Sequence, residues 1–367
     1  MKDSMWSQMS NRSLIKRLKS SWIFNSCQMS CCIAKPLLIA LLCLSAASAC
    51  TPNSDSEFAD YRERLARALS IELPAPSPLK TPLPEIRAVK PETLAEIRLD
   101  LLDMLALDSC GVGSSQPSLG NLIAERNSSL GKVMAHSTQL QYEIQLLQAL
   151  AACLQDPLIP EDLKSTLTNI YQQKQQQLAT RLTNFLMFDQ TLRQQLHGSQ
   201  RPLDLQSGQA AETQQALQNL LILKQSILHK DYLQASRIDI NQQLAPLYQG
   251  QVLADLQHSL RSNLNQLKTL NSQLMAWNPA RCRQETKDIL QQIMLQIFIG
   301  KVQQQLAHQD SIAQNVLPLL KEIYAGTALA EDVNVRFYQP WQQLHSELKT
   351  HIHWWKQQQT NCQPEYF

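Results

Sequence analysis

Apolar residues recur every three or four positions through most of the chain, and this spacing predicts helices. The cleanest repeat consists of seven leucines from Leu253 to Leu274, and its steps of three and four average 3.5 residues. This period is typical of helices packed side by side. Other helices are predicted at 56–69, 92–107, 119–127, 140–156, 161–196, 209–230, 233–248 and 340–359.

Two segments depart from the simple amphipathic pattern. Residues 289–302 are apolar on nearly all sides, which predicts a central buried helix. Pro318 lies inside the next apolar segment, and proline removes a backbone donor, so we expect a kink or a split there.

The same pattern indicates an all-α fold. No stretch alternates with a period of two, and the chain has only 9 glycines. We expect an elongated bundle of about eight to ten helices over residues 92–367, with a candidate lobe boundary at 198–208. A proline-rich strap at 71–91 precedes it, and this strap either packs on the domain or acts as a free spacer.

The N-terminal region has the pattern of an export signal. Lys35 precedes an apolar run at 36–44, which is shorter than the roughly 20 residues of a membrane-spanning helix. The small residues at 47–49 then lead directly to Cys50, as in the lipobox of bacterial lipoproteins. The alternative is an ordinary signal peptide that is cleaved near Ala49.

A lipoprotein signal implies acyl chains on Cys50, and two or three chains hold a protein firmly on a membrane. We therefore assign residues 1–49 to the leader and 50–70 to the lipid anchor and a short helix. Thr51, in place of Asp, favours transfer to the outer membrane, with the body facing the periplasm. The leader is long, and translation starts at Met29, Met9 or Met1.

The charge balance changes when the leader is removed. Six of the 33 basic residues and one of the 31 acidic residues precede residue 50, so the remainder has a formal net charge of −3. A slightly acidic chain without a basic run is not expected to bind nucleic acid.

Four cysteines follow Cys50. An even number in an exported protein indicates disulfides, and four cysteines allow three pairings. We favour Cys110–Cys153 and Cys282–Cys362, because each bond would join the ends of one helical segment. A metal site is the rival interpretation, but the chain contains no CxxC motif and no two of the four lie close in sequence.

One polar cluster has the residue types of a binding site. It combines a carboxylate, a guanidinium, an amide and hydroxyls next to a glycine, and it consists of Glu125, Arg126, Asn127, Ser128, Ser129 and Lys132. Arg126 is suited to bind an anion or a glycan through paired donors. The alternative is an ordinary helix end, where these side chains cap the backbone or point to solvent.

Other chemical signals are weak. The chain has no GxSxG, HExxH, P-loop or GxGxxG motif, and we assign no catalytic residue, metal or cofactor. His351 and His353 are two residues apart and point to different sides of a helix, so they form a poor metal pair. The aromatic residues near the C-terminus are expected to pack in the core; they are Phe337, Tyr338, Trp341, Trp354 and Trp355.

Three segments together resemble a family of gammaproteobacterial lipoproteins that is defined as a domain of unknown function. They are 61–66, the segment 101–105 followed by Cys110, and especially 122–134. The resemblance is most specific over residues 57–155. It implies a lipoprotein of the cell envelope and brings no catalytic residues with it.

Two hypotheses follow. The first is a lipid-anchored protein with a structural or protein-interaction role, which has the membrane and an envelope protein as partners. The second is a glycan- or anion-binding protein, or a hydrolase, that uses Glu125, Arg126 and Asn127.

Overall fold

The computed structural model of the protein describes residues 54–76, 94, 135–205, 207–277 and 284–361. Helices are the only regular elements in these ranges, so the predicted all-α class is confirmed. The chain from Ser54 onward forms one compact unit. The predicted helices at 92–107 and 119–127 and most of the strap lie outside the described residues. The candidate lobe boundary and the other domain limits remain predictions.

The described helices are numbered in chain order. They are α1 (Ser54–Leu69), α2 (His136–Leu154), α3 (Glu161–Phe188), α4 (Gln190–His197), α5 (Gln209–Leu228), α6 (Tyr232–Ser236), α7 (Ile240–Gln243), α8 (Ala245–Gln249), α9 (Val252–Ala276), α10 (Gln284–Gln292), π1 (Ile293–Val302), α11 (Gln303–Tyr324), α12 (Ala330–Val333), π2 (Asn334–Tyr338) and α13 (Gln339–Asn361). Among them, no helix combines the length and the apolar character that crossing a membrane requires.

Helix α1 forms as the sequence predicts. Its buried residues Phe58, Tyr61, Leu65 and Leu69 recur at the spacing of one helix face. Beyond α1 the chain turns back at Ser70, whose φ is +50°, and residues 71–76 have no regular structure. The guanidinium of the buried Arg62 donates to the Pro74 carbonyl at 2.7 Å, which holds the start of the strap on α1.

Helices α2 and α3 form a hairpin with an apolar seam. Pro157 and Pro160 end the first helix and begin the second, since proline is tolerated in a first helical turn but not in an interior. The seam is built from residues of both helices that lie four or three positions apart: Tyr142, Leu146, Leu150, Cys153, Leu163, Leu167 and Ile170.

A buried ion network crosses the same hairpin. The carboxylate of Glu143 in α2 lies 2.7 Å from the Lys174 ammonium and 3.4 Å from the Arg181 guanidinium, both in α3. Arg181 also donates to the Gln139 amide oxygen at 3.3 Å. Residues that come later in α3 meet residues that come earlier in α2, so the two helices are antiparallel.

The prediction of one helix at 233–248 is wrong. The structure has three short helices there, α6, α7 and α8. The Asp231 carboxylate caps α6 by accepting from the Gln234 N–H, and Asp239 caps α7 in the same way through Gln242. Pro246 lies in the first turn of α8. Aspartate caps and an N-terminal proline each begin a helix, so together they divide the segment.

The expected buried helix at 289–302 is also corrected. Ile293, Ile297, Phe298 and Val302 are buried, but Ile289, Leu295 and Ile299 are each about 40% exposed. For Leu295 and Ile299 the reason is the π-helix π1, in which the N–H bonds to the fifth preceding carbonyl and one turn contains about 4.4 residues. Steps of four, one and four residues then place the buried set on one side, whereas an α-helix would spread it over half the circumference.

Helix α11 continues through Pro318, so the expected split does not occur. Val316, Leu317 and Leu320 are buried on both sides of the proline, and their packing outweighs its cost of about 3 kcal/mol. The end of α11 is capped from outside. The Lys224 ammonium of α5 donates to the carbonyls of Glu322, Ile323 and Ala325 at 2.7–2.9 Å.

Helices α9 and α13 pack side by side in parallel. The Lys268 ammonium donates to the Gln343 amide oxygen at 2.9 Å, and one helical turn later the Asn271 amide donates to the Glu347 carboxylate at 2.9 Å. All seven leucines of the predicted repeat in α9 are buried. The regular leucine spacing of α9 therefore gives this helix one apolar face that is buried along its whole length.

A buried set of polar side chains joins α1, α9 and α13, and we call it the polar clamp: Tyr61, Asn271, His351 and Trp355. The Tyr61 hydroxyl lies 2.5 Å from His351 Nε2, and Trp355 Nε1 donates to the Tyr61 oxygen at 2.9 Å. On the other side of the imidazole, His351 Nδ1 lies 2.9 Å from the Asn271 amide oxygen. The bond between Tyr61 and His351 connects residues 290 positions apart.

The bonds of Asn271 define the tautomer of His351. The amide nitrogen of Asn271 donates to the carbonyl and the carboxylate of Glu347, so its oxygen remains as the acceptor for His351. His351 Nδ1 therefore carries the proton, and Nε2 accepts from Tyr61. Burial lowers the pKa of His351 to about 3 and raises the pKa of Tyr61 well above its usual value.

Aromatic rings surround the clamp. The Phe298 ring of π1 lies 5.3 Å from the Tyr61 ring and 5.0 Å from the His351 ring, measured between centroids. Trp354 packs on Trp355 at 4.9 Å and on Trp277 at 6.4 Å. The clamp is thus enclosed by apolar surface, and this makes every unpaired polar atom in it costly.

The clamp should make stability depend on pH. An unfolded histidine binds a proton below about pH 6.5, whereas folded His351 does so only near pH 3, so the unfolded chain gains the proton first as the pH falls. We expect the free energy of unfolding to decrease by roughly 3 kcal/mol from pH 6.5 to 4 through this residue. Urea unfolding over this range measures it.

Two variants isolate this contribution. His351→Gln should lose this part of the pH dependence, whereas His353→Gln, at an exposed position two residues away, should keep it. An unchanged pH dependence in His351→Gln would contradict the assigned role.

The ion network of the α2–α3 hairpin gives a second prediction. Glu143→Gln removes the carboxylate and leaves Lys174 buried, so we expect a loss of about 3 kcal/mol in the free energy of unfolding. Asp60→Asn, which breaks the exposed Arg64–Asp60 pair, is the matched control and should cost less than about 1 kcal/mol. Equal losses in both variants, measured by chemical denaturation, would show that burial of the network is unimportant.

Candidate functional site

Several residues that the sequence singled out lie outside the described residues. They include Cys50 and the whole polar cluster at 125–132, so lipidation and the role of that cluster stay predictions. Of the four later cysteines, the structure describes Cys153, which is 1% exposed near the end of α2. The pairings Cys110–Cys153 and Cys282–Cys362 stay predictions because the other three cysteines fall outside.

The C-terminal residues behave largely as predicted. His351 is fully buried and His353 is exposed, which confirms that they point to different sides of α13. Phe337, Trp354 and Trp355 are buried in the core. Tyr338 and Trp341 are partly exposed. Within the described ranges, no three His, Cys, Asp or Glu side chains are grouped closely enough to hold a metal ion.

Sequence reasoning missed a buried carboxylate between α11 and α13. Asp310 is 6% exposed, and one of its oxygens lies 2.6 Å from His345 Nε2 and accepts from Trp341 Nε1 at 2.7 Å. The other oxygen accepts from the Gln314 amide at 2.6 Å. The carboxylate orients the imidazole of His345, which is 27% exposed on its side chain. The contact between Asp310 and His345 thus links α11 to α13 near the surface.

A concavity lies between α4, the segment 198–201 and the N-terminal end of α9, and we call it the α4–α9 groove. Its volume is about 740 Å³. This size is in the range of small-molecule sites. The lining residues are mostly polar: Phe188, Gln190, Arg193, Gln194, His197, Gly198, Ser199, Gln200, Arg201, Gln251 and Ala254.

Helix capping positions α4 in this groove. The buried Asp189 carboxylate accepts from the N–H groups of Thr191 and Leu192, both at 3.1 Å, and so begins α4. Burial raises the pKa of Asp189, and these two hydrogen bonds oppose that shift. The helix ends at Gly198, whose φ of +96° is a conformation that other residues rarely adopt.

Two hydrogen bonds hold the segment 199–203, which follows α4, against α9. The Leu203 N–H donates to the Ser259 hydroxyl at 2.8 Å, and the Ser199 N–H donates to the Ala254 carbonyl at 3.3 Å. These bonds hold the loop against α9 independently of any ligand. The groove therefore has fixed walls.

The charged side chains of the groove are mainly cationic. The Arg201 guanidinium is 64% exposed and lies 2.9 Å from the Gln251 amide oxygen and 3.3 Å from the Asp255 carboxylate. Arg193 donates to the Met187 carbonyl at 3.4 Å. Behind the groove, Arg336 donates to the His197 carbonyl at 3.5 Å. Burial raises the pKa of Asp255, while Ser199 and Arg201 oppose that shift.

An unusual acceptor lies beneath Gly198. Gln257 is fully buried, and its amide nitrogen donates to the Leu196 carbonyl at 2.9 Å. Its amide oxygen has no hydrogen-bond partner among the described residues, and a Cβ on Gly198 would come within 2.3 Å of this oxygen. The positive φ favours glycine at position 198, and a Cβ there would also displace the Gln257 amide.

A second, smaller groove of about 330 Å³ lies between α1 and the α10–π1 segment. Arg64 and Arg67 line one side, and Ile289, Ile293 and Ile297 line the other. Both arginines already pair with acidic residues one turn earlier in α1, Asp60 and Glu63. The α4–α9 groove has the larger volume and the greater number of polar groups, so it is the stronger candidate site.

The sequence contained only part of the signal for this site. The loop at 198–208 was predicted, and a glycine after a helix ending in histidine marks a helix end. Nothing in the linear pattern brings residues 190–201 next to residues 251–254, since this proximity arises only when α9 packs on α4.

Comparison with known proteins identifies the family of this chain. No curated protein and no solved structure shows a significant match to this chain. One protein family matches residues 58–364, which extends well past the region where the sequence resemblance was most specific. Because this match covers most of the chain, the protein belongs to the family described as protein of unknown function DUF3080.

Proposed function

We propose that the protein is a lipid-anchored component of the bacterial cell envelope, held by acyl chains on Cys50 at the periplasmic face of the outer membrane. In this proposal its helical body has a structural role or binds other envelope molecules. The single observation that carries the proposal is the burial of α1 in the polar clamp, directly after the lipobox-like segment.

The clamp matters for anchoring because the segment between Cys50 and α1 is short. Only three residues, 51–53, separate Cys50 from the start of α1. At about 3.5 Å per residue, this connection reaches no more than roughly 14 Å. Since α1 is part of the packed body, an acylated Cys50 would hold the body close to the lipid surface.

A body held in this way differs from one on a long flexible linker. A short connection to a packed helix restricts which faces of the body reach partners in the membrane and which reach partners in the periplasm. It also raises the local concentration of the body at the surface, which strengthens weak contacts with other envelope molecules. Both effects favour an interaction or structural role.

The proposal extends to the cysteines. Export would place Cys110, Cys153, Cys282 and Cys362 in an oxidising compartment, where disulfides persist. The burial of Cys153 in the α2–α3 seam suits a structural bond better than a reactive thiol.

Lipidation is tested by substitution at the acceptor. Cells fed a labelled fatty acid should incorporate label into the wild-type chain, and Cys50→Ala should abolish both the label and membrane association. Cys43→Ala, which changes a leader cysteine seven positions earlier, is the matched control and should retain both. Full labelling of Cys50→Ala would show that this cysteine is not the acceptor.

The proposed outer-membrane location is tested by substitution of Thr51, the residue after Cys50. Thr51→Asp should keep the chain acylated but hold it in the inner membrane, because the proposed sorting depends on the residue after the cysteine. Density-gradient separation of the two membranes measures the shift, and Thr51→Ser should leave the distribution unchanged. Equal distributions of the Asp and Ser variants would refute the outer-membrane assignment.

A further inference from the structure

We infer that the α4–α9 groove binds a small anionic carbohydrate, that is, a sugar bearing a carboxylate or a phosphate. The inference concerns the ligand class of a site within the helical body. It does not depend on acylation of Cys50, so the two proposals can fail separately.

The cationic side chains indicate the anionic part of the ligand. Arg193 and Arg201 line the groove from opposite ends of the segment 193–201. A guanidinium has five N–H donors in a planar fork that matches a carboxylate or a phosphate. The contacts of Arg201 with Gln251 and Asp255 both use one of its terminal nitrogens, which leaves the other terminal nitrogen for a ligand.

The remaining polar groups indicate hydroxyls. Four exposed glutamines, at 190, 194, 200 and 251, surround the arginines. Each primary amide offers two donors and an acceptor, and a sugar hydroxyl both donates and accepts. A ligand with a dense set of hydroxyls therefore pairs with these groups more completely than one with a single polar end.

The buried acceptor beneath Gly198 adds an independent observation. The Gln257 oxygen lies under the one lining residue that lacks a side chain, and the described residues supply it with no donor. Buried polar atoms are seldom left unpaired, and those that are call for an explanation. Gln257 is fully buried and does not line the groove, so a ligand hydroxyl would reach this oxygen through a bridging water.

The lining argues against other ligand classes. Apolar ligands require mostly hydrophobic walls, but only Phe188 and Ala254 are apolar among the lining residues. An acidic peptide would use the arginines but would bring fewer hydroxyls to the cluster of amides than a sugar does. The volume of about 740 Å³ suits one or two sugar rings.

Isothermal titration of the purified full-length chain tests the inference with four probes. Glucuronate carries a carboxylate, glucose 6-phosphate carries a phosphate, glucose is neutral, and N-acetylglutamate is an acid without sugar hydroxyls. We expect saturable binding of one or both anionic sugars, with a dissociation constant on the order of 1 mM or tighter. Their relative affinities then identify the source of the anion. We expect much weaker binding of the other two probes.

Variants connect the binding to the groove. Arg193→Gln or Arg201→Gln should weaken binding about 10- to 100-fold, because each removes charge-assisted bonds to the anion. Arg64→Gln is the matched control, since Arg64 is also an exposed arginine paired with an aspartate, but on α1. It should bind as the wild type does. Thermal unfolding of each variant confirms that it is folded.

Three results would overturn the inference. The first is the absence of saturable binding of both anionic sugars. The second is equal affinity for glucose or N-acetylglutamate, which would remove the need for an anion or for hydroxyls. The third is an equal response of the Arg64 and groove variants. If the chain binds the sugars but Cys50→Ala leaves its membrane association unchanged, the groove stands and the anchor proposal falls.

Discussion

The described fold depends on the buried hydrogen bond between Tyr61 and His351. These two residues are 290 positions apart, and their contact joins the first described helix to the last. The imidazole has one role because Asn271 accepts at one ring nitrogen and Tyr61 donates to the other. A neutral, singly protonated histidine is the one state that satisfies all these groups in a dry site, so burial and hydrogen bonding select the same form. This requirement makes the clamp specific: phenylalanine or leucine would fill the space but would leave polar partners unpaired.

The π1 segment shows how the backbone accommodates the clamp. Phe298 must reach the Tyr61 and His351 rings while Ile293, Ile297 and Val302 still face the core. An α-helix cannot place all four on one side, whereas the wider π turn can. The cost is a weaker hydrogen-bond geometry and the outward orientation of Leu295 and Ile299. The exposed apolar residues of this segment are thus a consequence of the register that the buried rings impose.

The sequence predicted which segments are helical better than it predicted where helices break or which helices pack against each other. Helices α1 and α9 follow from simple leucine and aromatic spacing, since one face of each is buried throughout. The division of 233–248 depended on Asp231, Asp239 and Pro246, whose capping roles outweighed a weak helical pattern. The π register of 293–302 was not predictable, because it depends on contacts with residues far away in sequence. The α4–α9 groove was missed for the same reason: Arg193 and Arg201 become one site only once Gln251 and Ala254 pack beside them.

Helix α9 connects the two features that matter most. Its first turn forms one wall of the groove, and its last turns carry Asn271 of the clamp. A helix of 25 residues spans about 37 Å, and α9 is buried along its length by its leucine repeat. The clamp therefore fixes the position of α9, and α9 fixes the groove wall without help from a ligand. A groove built in this way is already formed before binding, so little ordering entropy is lost when a ligand enters. The same rigidity means that a weakened clamp should affect ligand binding by lowering the fraction of folded protein, and should leave the affinity of each folded molecule unchanged.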